Sequence, residues 1–186
     1  QAIGGEEKAK AIKTAKIIQS ADIEGRQMVI TTTHDISAMK FDQEVAMAGQ
    51  VMQKIGMAYG KATIEGGGQS QTMTDEQYEE AKMGMFIFPE LHFEELGYSL
   101  SLAGIQEVEG KPAYKVTISN PTGSEVINYY EVDSGLKIKS ESQAIGNMVF
   151  NKYETYEGVK YPVEVTLQLP GMPMSIVSKV DSLVFN

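Results

Sequence analysis

Two histidines are the whole imidazole supply of this 186-residue chain, and it has no cysteine. A catalytic zinc needs about three protein ligands converging from fixed spacing. The nearest approach is His92-Phe93-Glu94-Glu95-Leu96, which begins like the inverted zinc motif H-x-x-E-H but carries Leu96 where the second histidine belongs. His34 stands far upstream. The expectation is no catalytic residue, no metal ligand set and no cofactor, with His92 on the surface of a short helix. The missing cysteines also remove disulfides, thiolate sites and cysteine nucleophiles.

Other chemistries fare no better. Paired carboxylates could do acid and base work, and the chain has 25 acids. Most fall in turns or at helix starts (Glu6, Glu7, Asp75, Glu76, Glu109, Asp133, Glu157), where capping and solvation account for them. Gly66-Gly67-Gly68 lacks the lysine and hydroxyl of a phosphate-binding loop, and no βαβ unit surrounds it. No G-x-S-x-G elbow presents a serine nucleophile.

Methionine is the residue type that points to binding. Of 11 in the chain, Met39, Met47, Met52, Met57, Met73, Met83 and Met85 cluster in the first half. Unbranched thioethers suit either a deformable apolar cavity or ordinary core packing. Met83-Gly84-Met85-Phe86-Ile87-Phe88-Pro89 is too apolar for an exposed linker, and it is expected to plug the sheet or to line a pocket on it. Tyr78, Met83, Met85, Phe86, Phe88 and Phe93 are therefore the candidate ligand-binding residues.

The elements that must position them are mostly strands. From residue 98 onward, alternating runs (Leu100–Val108, Ala113–Ile118, Val126–Val132, Leu136–Ser140, Met148–Tyr153, Val159–Leu169, Ile176–Phe185) are separated by glycine- or proline-bearing turns, the last of them Pro170–Pro173. Four earlier runs, Lys16–Ile23, Gln27–Thr33, Ile36–Met47 and Val51–Tyr59, bring the total to about eleven. Such spacing predicts an antiparallel meander. Residues 61–73 read as a loop or a broken edge because of their three glycines. Three short helices are expected: residues 4–13, one capped by Thr74 with Gln77, and one opened by Pro89 and closed by Gly97. Along residues 159–169, Val159, Tyr161, Val163, Val165, Leu167 and Leu169 should be buried and the alternate residues wet, with Pro162 at a strand start, an edge or a bulge.

Composition sets outer limits. Hydrophobic residues make up 42% and charged residues 22%, as in globular domains. The net charge of -9 and pI near 4.8 oppose binding to nucleic acid or to an anionic membrane surface. No stretch reaches the 18 or more apolar residues of a membrane span. Because the chain opens on Gln1-Ala2-Ile3-Gly4-Gly5 without an initiator methionine, removal of a leader or origin in a longer protein is expected. A single domain over residues 1–186 is expected.

Several phrases carry a resemblance. Ala2-Ile3-Gly4-Gly5-Glu6-Glu7-Lys8, Glu109-Gly110-Lys111-Pro112-Ala113-Tyr114, Tyr129-Tyr130-Glu131-Val132-Asp133-Ser134-Gly135-Leu136 and Tyr153–Pro162, in a helix, strands, helical insert, strands order, are similar to exported LolA/LolB-like domains of Gram-negative bacteria. The resemblance implies a strongly curved antiparallel sheet, an open half-barrel, with helices on its concave face. It implies a periplasmic or outer-membrane-associated location and an apolar ligand, an acyl chain or a lipoprotein, in the concave cleft. Domains of this kind also form the C-terminal tail of proteins related to insulinase-type zinc peptidases, so an accessory role beside a peptidase domain is the alternative.

Overall fold

The computed structural model describes residues 2–171 and 174–186. Gln1 and the Met172-Pro173 pair of the expected last turn lie outside the described residues. The fold is mainly β: thirteen antiparallel strands in one non-closed sheet, in the order β6-β5-β4-β3-β2-β1-β13-β12-β11-β10-β9-β8-β7. Two compact units make it up, one from Gln1–Ala9 and Leu91–Val177, the other from Lys10–Glu90 and Ser178–Asn186.

The second of these units holds β1 (Thr14–Ile23), β2 (Arg26–Asp35), β3 (Lys40–Met47), β4 (Gln50–Ala58), β5 (Lys61–Gly66) and β6 (Gln69–Thr72). The C-terminal β13 (Ser175–Phe185) pairs with β1 from Ala15↔Phe185 to Ala21↔Ser178. All eleven expected strands are present, and the two additional ones are β5 and β6. Residues 61–73 are thus no loop but a hairpin at the sheet edge, turned by Gly67 and Gly68 at φ +58° and +78°. Glycine weakens a strand interior, yet a two-residue turn needs positive φ at both centres. At residues 67 and 68 that need outweighs the loss.

After β6 the chain leaves the sheet through α2 (Asp75–Ala81). Thr74 and Gln77 form the expected capping box: Thr74 Oγ1 accepts from the Gln77 N–H, and Gln77 Oε1 accepts from the Thr74 N–H. The helix tightens into a 3-10 turn at Lys82–Met85, Phe86 is extended, and the expected helix from Pro89 to Gly97 is only a 3-10 turn at Pro89–Leu91. The expected helix over 4–13 is shorter, with α1 confined to Glu6–Ala11.

The other unit holds β7 (Ser99–Val108), β8 (Lys111–Ser119), β9 (Glu125–Glu131), β10 (Lys137–Ser142), β11 (Gly146–Tyr156) and β12 (Val159–Gln168). Its N-terminal residues are tied down where the Lys160 N–H donates to the Ile3 carbonyl at 2.8 Å. Pro162 sits where the β11–β12 register shifts between Lys152 and Tyr153, so the proline falls at a bulge. Val159 and Val163 are buried as expected, but Tyr161, Val165, Leu167 and Leu169 are only half-buried; on the other face Gln168 is exposed, while Lys160, Pro162, Glu164 and Thr166 are half-buried rather than wet. Neither face of β12 is fully solvated.

Candidate functional site

In the unit built on β1–β6, the segment after α2 is seated rather than open. Met85, Phe86, Ile87 and Phe88 are all buried, Met85 at 3% exposure. His34 on β2 holds the segment by its backbone, with Nδ1 donating to the Met85 carbonyl at 2.9 Å. The carbonyl can only accept, so neutral His34 carries its proton on Nδ1. Its ring meets Phe41 edge-on at 5.2 Å, and Phe88 tilts against Phe185 at 6.1 Å. Tyr78, half-buried on α2, donates its hydroxyl to Met85 Sδ at 3.7 Å. Met83 is half-buried.

Burial pulls the His34 imidazole below its ordinary value of 6.5, and the hydrogen bond to Met85 opposes this in part. The unfolded chain then binds its proton first as pH falls, so stability present above pH 6.5 is lost on acidification from there down to the lower folded value. We expect the urea midpoint of the wild type to decline as the pH falls below 6.5, and that of His34→Gln to decline less. Parallel declines in the two proteins would mean that His34 is not the group responsible.

Five of the six expected ligand-binding residues fall in this unit and one in the other. Met85, Phe86 and Phe88 share the seat with Tyr78 and Met83 at its margin. Phe93 belongs to the other unit, where it is buried and tilts against Tyr98 at 5.8 Å. The methionines differ in exposure: Met57 and Met85 are buried, Met39 and Met52 are exposed. His92 Nδ1 pairs with Glu95 Oε2 at 3.1 Å. Among the described residues no group of three or more histidines, cysteines or acids comes together that could hold a metal ion.

In the unit built on β7–β12 the two faces differ. On one, the Lys115 and Lys139 ammoniums lie over the Tyr129 ring at 5.9 and 5.6 Å, and the Tyr129 hydroxyl donates to Glu141 at 3.1 Å. Desolvation and the Glu141 carboxylate together raise the phenol above its ordinary value. On the other face lies a row that the sequence reading passed over. Leu100, Leu102 and Ile105 of edge strand β7 are exposed at 57%, 65% and 62%.

Their arrangement depends on a bulge. Leu100 faces Ile118, Leu102 faces Val116 and Ile105 faces Tyr114, so Ala103 and Gly104 together oppose Lys115. Gly104 supplies the φ of +107° there. Without the extra residue, Ile105 would turn to the opposite face, because a one-residue slip inverts every side chain. The bulge therefore keeps three large aliphatics in line with Tyr114, Val116 and Ile118. The Leu100-Ser101-Leu102 alternation is legible in the sequence; that β7 is a sheet edge, and hence uncovered, is not.

Antiparallel strands in a single open sheet, interrupted by one short helical insert before β7, match known structures along nearly the whole chain. A LolA superfamily protein from Nitrosomonas europaea superimposes with a TM-score of 0.65 at 11% identity, covering 97% of this chain and 91% of that one. A DUF1329 family protein from Desulfovibrio piger gives 0.63 at 10%, covering 97% and 88%. A putative outer membrane lipoprotein-sorting protein domain from Vibrio parahaemolyticus gives 0.59 at 9%, covering 97% and 90%. The chain has a LolA-like fold. No protein-family model and no curated protein sequence matches it. Among the described residues of this LolA-like chain, no helix is long and apolar enough to cross a membrane.

Proposed function

We propose that this chain is a non-catalytic cell-envelope domain that binds an apolar ligand, an acyl chain or the lipidated part of a lipoprotein. The observation that carries the reading is the exposed row Leu100, Leu102 and Ile105, held on one face by the Ala103-Gly104 bulge. Three large aliphatics in water are costly to leave uncovered, each contributing roughly 1.5–3 kcal/mol when buried. A continuous exposed patch of that kind marks a binding surface. The LolA-like fold and the lipoprotein-sorting name of one structural neighbour support the envelope setting and the ligand class.

In the other unit Tyr78 and Met83 are half-buried, while Met85, Phe86 and Phe88 are buried, and a ligand could meet them only after they leave their seat. Phe93 is likewise covered.

Titration with a fluorescent fatty-acid methyl ester, a neutral acyl probe, tests the reading. Wild type should bind saturably, and Leu102→Glu should bind at least about tenfold more weakly, since the lost apolar contact alone reaches about 1.4 kcal/mol. Residue 102 is exposed, so circular dichroism should show an unchanged fold. Absence of saturable binding to wild type would end the carrier reading and leave the accessory role beside a peptidase-like domain. Equal binding by wild type and Leu102→Glu would move the ligand off this face.

A further inference from the structure

One line of directly opposed neighbours runs inward from the exposed edge: Leu102, Val116, Asn128, Ser140, Met148 and Leu167. Opposed residues of antiparallel strands share a face, so these six side chains form a row across β7–β12. Its lip is apolar and open, with Leu102 exposed and Val116 half-buried. Its middle is polar and buried, with Asn128 and Ser140 each 4% exposed.

Asn128 is the anomaly in that row. Its Nδ2 donates to the Tyr130 hydroxyl at 3.1 Å, but its Oδ1 meets no hydrogen-bond partner among the described residues. A buried carbonyl oxygen without a donor loses its hydration and receives nothing in exchange. An apolar residue in its place would spare the fold that penalty. The oxygen lies two strands in from the edge, about 10 Å at the usual strand spacing.

We infer that Asn128 is the headgroup end of the apolar row, and that the ligand is an acyl chain capped by a hydrogen-bond donor. The chain lies along Leu102 and Val116, and its amide N–H donates to Asn128 Oδ1 after small side-chain shifts uncover that oxygen. An ester has no donor to offer, and a carboxylate would set an anion against an acceptor. Free fatty amides and N-acylated polypeptides share the required N–H. This assignment rests on the proposed acyl-binding role and narrows it to one headgroup class.

Displacement of the fluorescent fatty-acid methyl ester, which sets no anion against Asn128, is the test, with hexadecanamide, an N-hexadecanoyl dipeptide amide and methyl hexadecanoate as competitors of equal chain length. On wild type at least one amide should displace the probe at roughly tenfold lower concentration than the ester. Success of both amides means that the donor suffices, and success of the dipeptide alone points to a lipidated polypeptide as the source. In Asn128→Val the gap should close through weaker amide binding, with the ester unchanged. Equal ranking of amides and ester by a wild type that still binds the probe overturns the assignment while leaving the acyl-binding role intact. So does a gap that persists in a folded Asn128→Val. If the probe itself does not bind, the acyl-binding role fails, and the headgroup assignment with it. Should Asn128→Val not fold, the wild-type ranking alone decides.

Discussion

Replacing Met85 with glutamate is expected to cost more than about 4 kcal/mol of folding stability, while Leu102→Glu should change it by less than about 0.5 kcal/mol. Both substitutions place a carboxylate on an apolar position of a protein that already carries a net charge of -9. What separates them is solvent. Met85 is 3% exposed, with its carbonyl held by His34 and its sulfur against the Tyr78 hydroxyl. A charge there must either stay desolvated or unseat the segment. Leu102, by contrast, projects from an edge strand into water. Urea midpoints of the two variants measure the difference. A Met85→Glu midpoint close to wild type would show that the segment after α2 leaves its seat freely, and would make it available to line a pocket.

Gly146→Ala, at the start of β11, should lower stability by about 3 kcal/mol or more. Gly146 has φ +102°, which an alanine adopts only under strain, and a Cβ built on it lies 2.2 Å from the Gln168 carbonyl oxygen and 3.1 Å from Pro170 Cδ. Neither neighbour is the free end of a flexible side chain: one is backbone of the β11–β12 pairing, the other a proline ring. Gly68→Ala supplies the control. Its φ of +78° is also positive, but nothing lies within 4 Å of the added carbon, so about 1–2 kcal/mol is expected. Thermal or chemical denaturation of both variants separates steric closure from backbone preference. Equal losses would mean that the strands at Gly146 move apart at little cost.

The fold was legible in the chain because its signals are local. Alternation with period two and a turn residue at each joint report on strands whatever lies next to them, and all eleven strands so read are present. The capping box at Thr74 and Gln77 is equally local, and so is the breaking effect of Pro162 on its ladder. The hairpin at Gly66–Gly68 was misread because glycine has two opposite meanings. In a strand it removes packing, in a tight turn it supplies positive φ, and only the partner strand tells which applies.

The site was less legible because exposure is a property of neighbours. Leu100, Leu102 and Ile105 look like any core-facing alternation until β7 proves to be a sheet edge and the bulge at Ala103-Gly104 returns Ile105 to the same side. The run Met83–Phe88 looks like a ligand lining until His34, fifty-one positions before Met85 in the chain, binds its backbone and closes it into the core. Asn128 gives no warning at all in a strand reading Val126-Ile127-Asn128-Tyr129. Local residue types specify which segments are strands and which positions share a face. Pairing across long sequence separations specifies which of those faces is covered, and therefore which apolar residues are core and which remain for a ligand.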